Sequence, residues 1–247
     1  MNHGIYVSTS GFLSQQKRLE MIANNLANAN TAGFKGDVAV FETSSPPLTA
    51  IWAGEGRPVW TPTFVNLSAI VTDFSEGPLT ETGNPLDVAI VGQGFFEIQT
   101  PQGPRYTRRG DFALTGDGKL VTQEGQPVMG QGGPITLTEG EIEIDQGGII
   151  YVDRNEEGRL RVVTFPDTRR LVKQGRGLFA WAGGSSEVRP LEHVELRSKH
   201  LENSNVNPVM EMVRMIETIR TYEAQQKVIH SFDSTEKKAV DEVGRLR

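Results

Sequence analysis

Chemistry in this chain would have to come from four histidines, its carboxylates and no cysteine. His3, His193, His200 and His230 share no His-Glu-x-x-His spacing, so they read as structural or exposed side chains. Asp153-x-Asn155-x-Glu157-Gly158 imitates the start of a calcium loop. The twelfth position of that loop is Thr164, where a bidentate glutamate is needed, so a plain hairpin fits better. Gly175-x-Gly177-x-x-Ala180 imitates a dinucleotide fingerprint, but Trp181-Ala182-Gly183-Gly184 follows it in place of a helix. Neither a Gly-x-Ser-x-Gly elbow nor a P-loop occurs. A hydrolase acting on cell-wall glycan would have to rest on Asp87 or Asp111; for Asp87, beside an apolar run, a turn-stabilising role fits better. The lack of cysteine excludes disulfides and thiolate metal or redox sites. The residues therefore assign no catalytic group, metal or cofactor.

Composition narrows the partners. The chain has 247 residues, enough for one large or two small domains, and a formal charge of −6. No basic patch matches a phosphate backbone, which argues against nucleic acid. Arg108-Arg109 and Arg169-Arg170 are isolated doublets and read as solvated strand ends. The apolar runs fall far short of the ~20 residues of a membrane span. Met1-Asn2-His3 lacks a cationic signal-peptide start, so composition alone points to the cytoplasm.

The pattern along the chain places helices at both ends. Ile5, Phe12, Leu19 and Leu26 recur every seven residues, and Ile22 adds a second row, which predicts an amphipathic helix with a thin seam. Asn24, Asn25, Asn28 and Asn30 crowd its end, Thr31-Ala32-Gly33 reads as the stop, and Phe34 follows the turn. Two readings stand: a helix end packed on its own core, or carboxamides and Phe34 at a contact between subunits. Residues 37–76 carry helix breakers together with Trp52, Trp60 and Phe64, and read as an extended connection that docks its aromatics.

From residue 77 short alternating strands and glycine turns predict a compact antiparallel β domain to about 200. Leu86, Val88, Ile90, Phe95, Phe96, Phe112 and Leu120 are its natural core, with Phe95–Ile98 as the partner of the Leu86–Val91 run across a Gly92-Gln93-Gly94 turn. Ile149–Val152 and Leu160–Val163 are expected to flank a turn over 153–158, and Thr115–Lys119 to close a hairpin. Glu139, Glu141, Glu143 and Asp145 read as the solvated face of a strand. Asn203–Pro208 is a helix start. Beyond it Met212, Met215/Ile216, Ile219, Tyr222, Gln226, Ile229, Asp233, Glu236, Val240 and Val243 predict a heptad-like seam on a helix over about 206–243. The simplest way to bury both terminal seams is against each other, then against copies of the same chain. The three methionines Met210, Met212 and Met215 read either as core filler or as an adaptable contact surface.

Several of these stretches resemble one family. Asn24–Lys35, then Gly83–Ile90, Gly92–Phe96, Tyr106–Phe112 and Gly118–Thr122, and finally Asn205–Ile216 with Arg220–Glu223 are similar, in order, to the flagellar rod and hook proteins. They cover about two-thirds of the chain; Ser231–Arg247 matches less clearly. Asn207-Pro208 and the stretch from Phe165-Pro166-Asp167 to Gly177-Leu178-Phe179 look more like the proximal-rod than the distal-rod members. The resemblance implies a non-catalytic structural subunit, exported through the flagellar type III apparatus without a cleaved signal. Its partners would be copies of itself and neighbouring rod subunits, and its place the basal-body rod that carries torque across the periplasm.

The expected fold is α+β. Long N- and C-terminal helices pair as a coiled coil, and a central antiparallel all-β domain lies between them in the chain. The expected parts are residues 1–36 with the N-terminal helix, the connection 37–76, the β domain 77–200 and the C-terminal helix 201–247. The assembly interface is expected at Ile5, Phe12, Leu19, Ile22, Asn24, Asn25, Leu26, Asn28, Asn30, Thr31, Gly33, Phe34, Asn205, Asn207, Val209, Met212, Met215, Ile216, Ile219, Tyr222, Gln226 and Ile229. Two other readings stay open: a β-domain binding module or adhesin oligomerised by its helices, and the hydrolase on Asp87 or Asp111.

Overall fold

The computed structural model describes residues 3–44, 64–191 and 193–244. Trp52 and Trp60 lie outside them. The fold is α+β, with a mostly β central part and one long helix towards each end of the chain. It divides into two compact units, one of residues 1–27, 37–71 and 208–247, the other of residues 28–36 and 72–207.

In the first unit, α1 spans His3–Ala27 and α2 spans Pro208–Gly244. Proline at the first helical position of α2 loses nothing, because that amide has no partner within a helix. The two helices pack side by side, and Phe12 stacks on Tyr222 with ring centroids 4.4 Å apart. Strands Asp37–Ser44 and Phe64–Thr72 pair in a two-stranded ribbon, so the connection expected over 37–76 carries structure of its own. Arg18 lies over the ring of Phe41 on this ribbon.

The second unit is built from antiparallel strands. Its largest sheet has six, in the order Leu171–Lys173, Leu178–Trp181, Gly103–Thr107, Phe95–Thr100, Val162–Thr164, Arg189–Pro190. Successive side chains of a strand point to opposite faces, and both faces of Phe95–Thr100 are covered. Phe96 enters a large core with Val88, Ile90, Phe112 and Leu120, against which Leu86 packs half-buried. Phe95 enters a second cluster with Tyr106, Phe165 and Phe179.

Two pairings differ from the sequence-based expectation. Val88–Val91 pairs with Glu195–Ser198, not with Phe95–Ile98. The carbonyls of Gly92 and Gly94 accept from Arg108, so this turn carries the chain from one sheet to another instead of closing a hairpin. Ile149–Val152 pairs with Asn155–Arg159 across Asp153-Arg154 alone, both at positive φ. That two-residue turn matches strand twist and is tighter than the expected six-residue one. The Thr115–Lys119 turn does join paired strands, Ala113–Leu114 and Leu120–Val121.

Candidate assembly site

The side of α2 turned to α1 is only in part the stripe the spacing predicted. Glu211, Met215, Thr218, Tyr222, Gln225 and Ile229 are its buried or half-buried positions. Met215, Tyr222 and Ile229 belong to the expected seam, but Met212, Ile219 and Gln226 are displaced by Glu211, Thr218 and Gln225, one residue earlier. The same three- and four-residue steps run along both stripes, so spacing alone cannot choose between them. The seam is polar. Glu211 and Thr218 are 4% and 1% exposed. Gln15 Oε1, Gln225 Oε1 and Glu211 Oε2 are buried and accept no hydrogen bond from the described residues. On α1, Ile22 is fully buried, Phe12, Leu19 and Leu26 are half-buried, and the side chain of Ile5 lies outside the description.

The apolar stripe of α2 faces outward. Val209 is 66% exposed, Met212 50%, Ile216 53%, and Val213 and Ile219 lie with them. Apolar outside and polar inside inverts the usual arrangement of a surface helix.

The asparagine-rich stretch serves the chain itself. The Asn25 side chain is buried, donates to the Asp37 carbonyl and accepts from the Asp37 amide, both at 2.9 Å. Asn28 closes the turn after α1 by accepting from Thr31. Asn24, Asn30 and Asn207 are exposed. Asn205 Oδ1 accepts from the Gly36 amide at 2.7 Å, and its Nδ2 donates to the Asp73 carbonyl at 2.8 Å. Phe34, placed by expectation between subunits, is buried, with the Lys173 ammonium 4.5 Å from its ring centroid. Gly33 has φ +63°, and a β-carbon there would lie 2.5 Å from the Arg109 nitrogen. Thus Asn25, Gly33, Phe34 and Asn205 are engaged within one chain.

What holds that stretch was not read from the sequence. Glu202, on the strand His200–Glu202, is 2% exposed and gathers two cations. Lys35 Nζ donates to its Oε1 at 2.6 Å, and Arg108 Nε to its Oε2 at 2.8 Å. The Gly77 amide also donates to Oε1, and the Glu202 carbonyl accepts from the Gly33 amide at 2.7 Å. Lys35 donates further to the Ser75 carbonyl. Arg108, expected at a solvated strand end, is therefore buried; its neighbour Arg109 bridges Asp111 and Glu124, half-buried. Arg169 and Arg170 are the solvated pair. Burial opposes the Glu202 carboxylate, but Arg108 and then Lys35 outweigh it, and its pKa lies below the ordinary carboxylate range. Burial pulls the Lys35 ammonium below the ordinary lysine range, and Glu202 opposes that without reversing it.

The carboxylates weighed for catalysis are occupied. Asp87 accepts from Thr82 Oγ1 at 2.7 Å and Asn84 Nδ2 at 2.9 Å, which stabilises the turn before Val88. Asp111 is paired to Arg109 at 2.7 Å. Asp153 accepts from the Glu141 amide at 3.0 Å. Among the described residues no group of three or more His, Asp or Glu side chains is placed to hold a metal. No helix among them is long and apolar enough to cross a membrane.

Three family models match the chain. A flagella basal body rod protein model covers residues 5–35, a flagellar hook protein FlgE/F/G D1 domain model covers 89–152, and a flagellar basal body rod FlgEFG protein C-terminal model covers 197–242. The chain is 33% identical to the flagellar basal-body rod protein FlgF of Caulobacter vibrioides over all of both chains. It is 31% identical to FlgF of Mesorhizobium japonicum over 99% of each. It is 33% identical to the rod protein FlgG of Buchnera aphidicola over 93% of this chain and 95% of the relative.

Proposed function

The chain belongs to the flagellar basal-body rod protein family, and on that premise we propose that it is a FlgF-like subunit of the proximal rod. This is a family of structural rod proteins and not of enzymes, and its place is the flagellar basal body. In our reading the subunit self-assembles through its terminal helices into the axial shaft that transmits torque across the periplasm. The helices pair as a coiled coil inside the assembly. The neighbours are copies of the chain, FlgG-like distal-rod subunits and other proximal rod proteins, and delivery is by the flagellar type III export apparatus without a cleaved signal.

The observation that carries the reading is the exposed stripe Val209, Met212, Val213, Ile216, Ile219. Contiguous apolar surface on a helix calls for a partner. The buried seam, in contrast, holds three oxygens that accept no hydrogen bond from the described residues, and a buried acceptor without a partner costs about 1–3 kcal/mol. A helix more apolar on its outside than on its inside suits a subunit whose contacts are completed by others. The FlgF proteins of Caulobacter vibrioides and Mesorhizobium japonicum match over at least 99% of both chains, against 93% of this chain for the FlgG, which supports the proximal over the distal rod. The distal reading draws on the equal identity to a FlgG; cross-linking to rod neighbours of known position separates the two.

Deletion of the gene tests the role. Cells are expected to lose motility and to show basal bodies without a complete rod in electron micrographs. Motile cells with complete basal bodies would overturn the reading, and so would a stable, preformed oligomer of the purified chain, which a binding module or adhesin would show.

A further inference from the structure

Four stretches distant in sequence meet at one carboxylate. Lys35, the Gly77 amide and Arg108 all donate to Glu202, and the Glu202 carbonyl holds the Gly33 amide. Arg108 in turn donates to the carbonyls of Gly92 and Gly94. The cluster therefore fastens the segment 33–36 beside the strand His200–Glu202 with a single negative charge between two positive ones. Both cations and the carboxylate are almost wholly buried, so water does little to screen them.

We propose that Glu202 is an acid-sensitive latch: protonation of its carboxylate frees the segment 33–36 from its strand while the β core stays folded. Neutral Glu202 loses its attraction for both cations and leaves Lys35 and Arg108 buried beside each other, an arrangement a protein interior does not tolerate. The other charged groups facing the cluster do not replace it. Glu76 acts on Lys35 from the neighbouring turn, but more weakly than Glu202 does. Lys173, which donates to the Lys35 carbonyl, adds a further positive charge. On the strand of Glu202 itself, the His200 ring is bonded to the Ser198 carbonyl. The core strands depend on charge less, because Phe96, Ile98 and Val163 are apolar and fully buried, and Glu97, the one carboxylate of Phe95–Thr100, pairs with a single cation, Arg161, that is partly open to water. The depressed pKa of Glu202 agrees with a carboxylate that stays charged until the solution is well acidic.

Amide hydrogen exchange on the full chain, corrected for intrinsic rates, reads the latch. Between pH 7 and pH 3 the Gly33 and Gly77 amides are expected to lose protection by up to about 20-fold, the limit for one carboxylate with an ordinary open-state pKa, while amides of Phe95–Thr100 hold theirs. In Glu202→Gln the Gly33 amide should exchange fast at both pH values, with the acid dependence gone. If Glu202→Gln does not fold, Lys35→Met keeps the Arg108 pair and should shift the pH of release. Loss of protection at Gly33 and in the core in step would overturn the latch. So would an unchanged pH profile in whichever variant folds.

Discussion

Lys35 and Glu202 stand 167 residues apart in the chain, and their side chains meet at 2.6 Å with 1% of each exposed. Through that contact the end of the N-terminal signature and the approach to the C-terminal helix become one piece of the second unit. Asn205 repeats the connection with its bonds to Gly36 and Asp73.

Removing the charge of Glu202 leaves Lys35 and Arg108 buried without a counter-ion. Glu202→Gln is expected to destabilise the folded chain by about 3–5 kcal/mol, measured by urea unfolding followed through tryptophan fluorescence.

The pH dependence has a fixed sign. A carboxylate whose folded pKa is depressed contributes stability above its unfolded value, near ~4.3, and loses it as pH falls through the folded value. Urea midpoints should therefore be steady above pH 5 and fall steeply in acid. The part of that fall due to Glu202 should be missing in Glu202→Gln.

Gly33→Ala meets two obstacles at once. The left-handed backbone costs a residue with a β-carbon about 1–3 kcal/mol, and that carbon would overlap the Arg109 backbone. A drop in thermal midpoint is expected, larger than for Gly83→Ala, where positive φ is shared but nothing lies near.

The polar seam offers a change in the opposite direction. Gln225 buries a carboxamide oxygen that accepts no bond from the described residues, so Gln225→Leu should stabilise the helix pair by about 1 kcal/mol. Circular dichroism at 222 nm during heating would show it. A loss of helicity would mean that Gln225 has a polar role the helix pair needs.

Local signals made the helices, the Thr115–Lys119 hairpin and the apolar core at Val88, Phe96 and Leu120 legible in the sequence. Each rests on residues within a few positions of one another. The stretches similar to the rod proteins, Asn24–Lys35 above all, carried the family. The pairing of Val88–Val91 with Glu195–Ser198 was not legible, because no local turn specifies a partner a hundred residues away. Glu202 was hidden for a related reason. A lone glutamate between His200 and Asn203 reads as surface until Lys35 and Arg108 are seen beside it. The arginine doublet at 108–109, directly after the strand Gly103–Thr107, was the available signal. On α2, period placed Met215, Tyr222 and Ile229 on the buried side but took Met212, Ile219 and Gln226 for Glu211, Thr218 and Gln225, because part of the apolar set lies on the side away from α1.

Ile216 puts the central claim, assembly through the outward stripe of α2, to its most direct test. It is exposed, so Ile216→Asp should alter the stability of the isolated chain by no more than about 0.5 kcal/mol. Restored to a deletion strain, this variant is expected to be made and exported normally, yet to leave cells non-motile with incomplete rods in electron micrographs. Normal swimming with complete basal bodies would contradict assembly through this face.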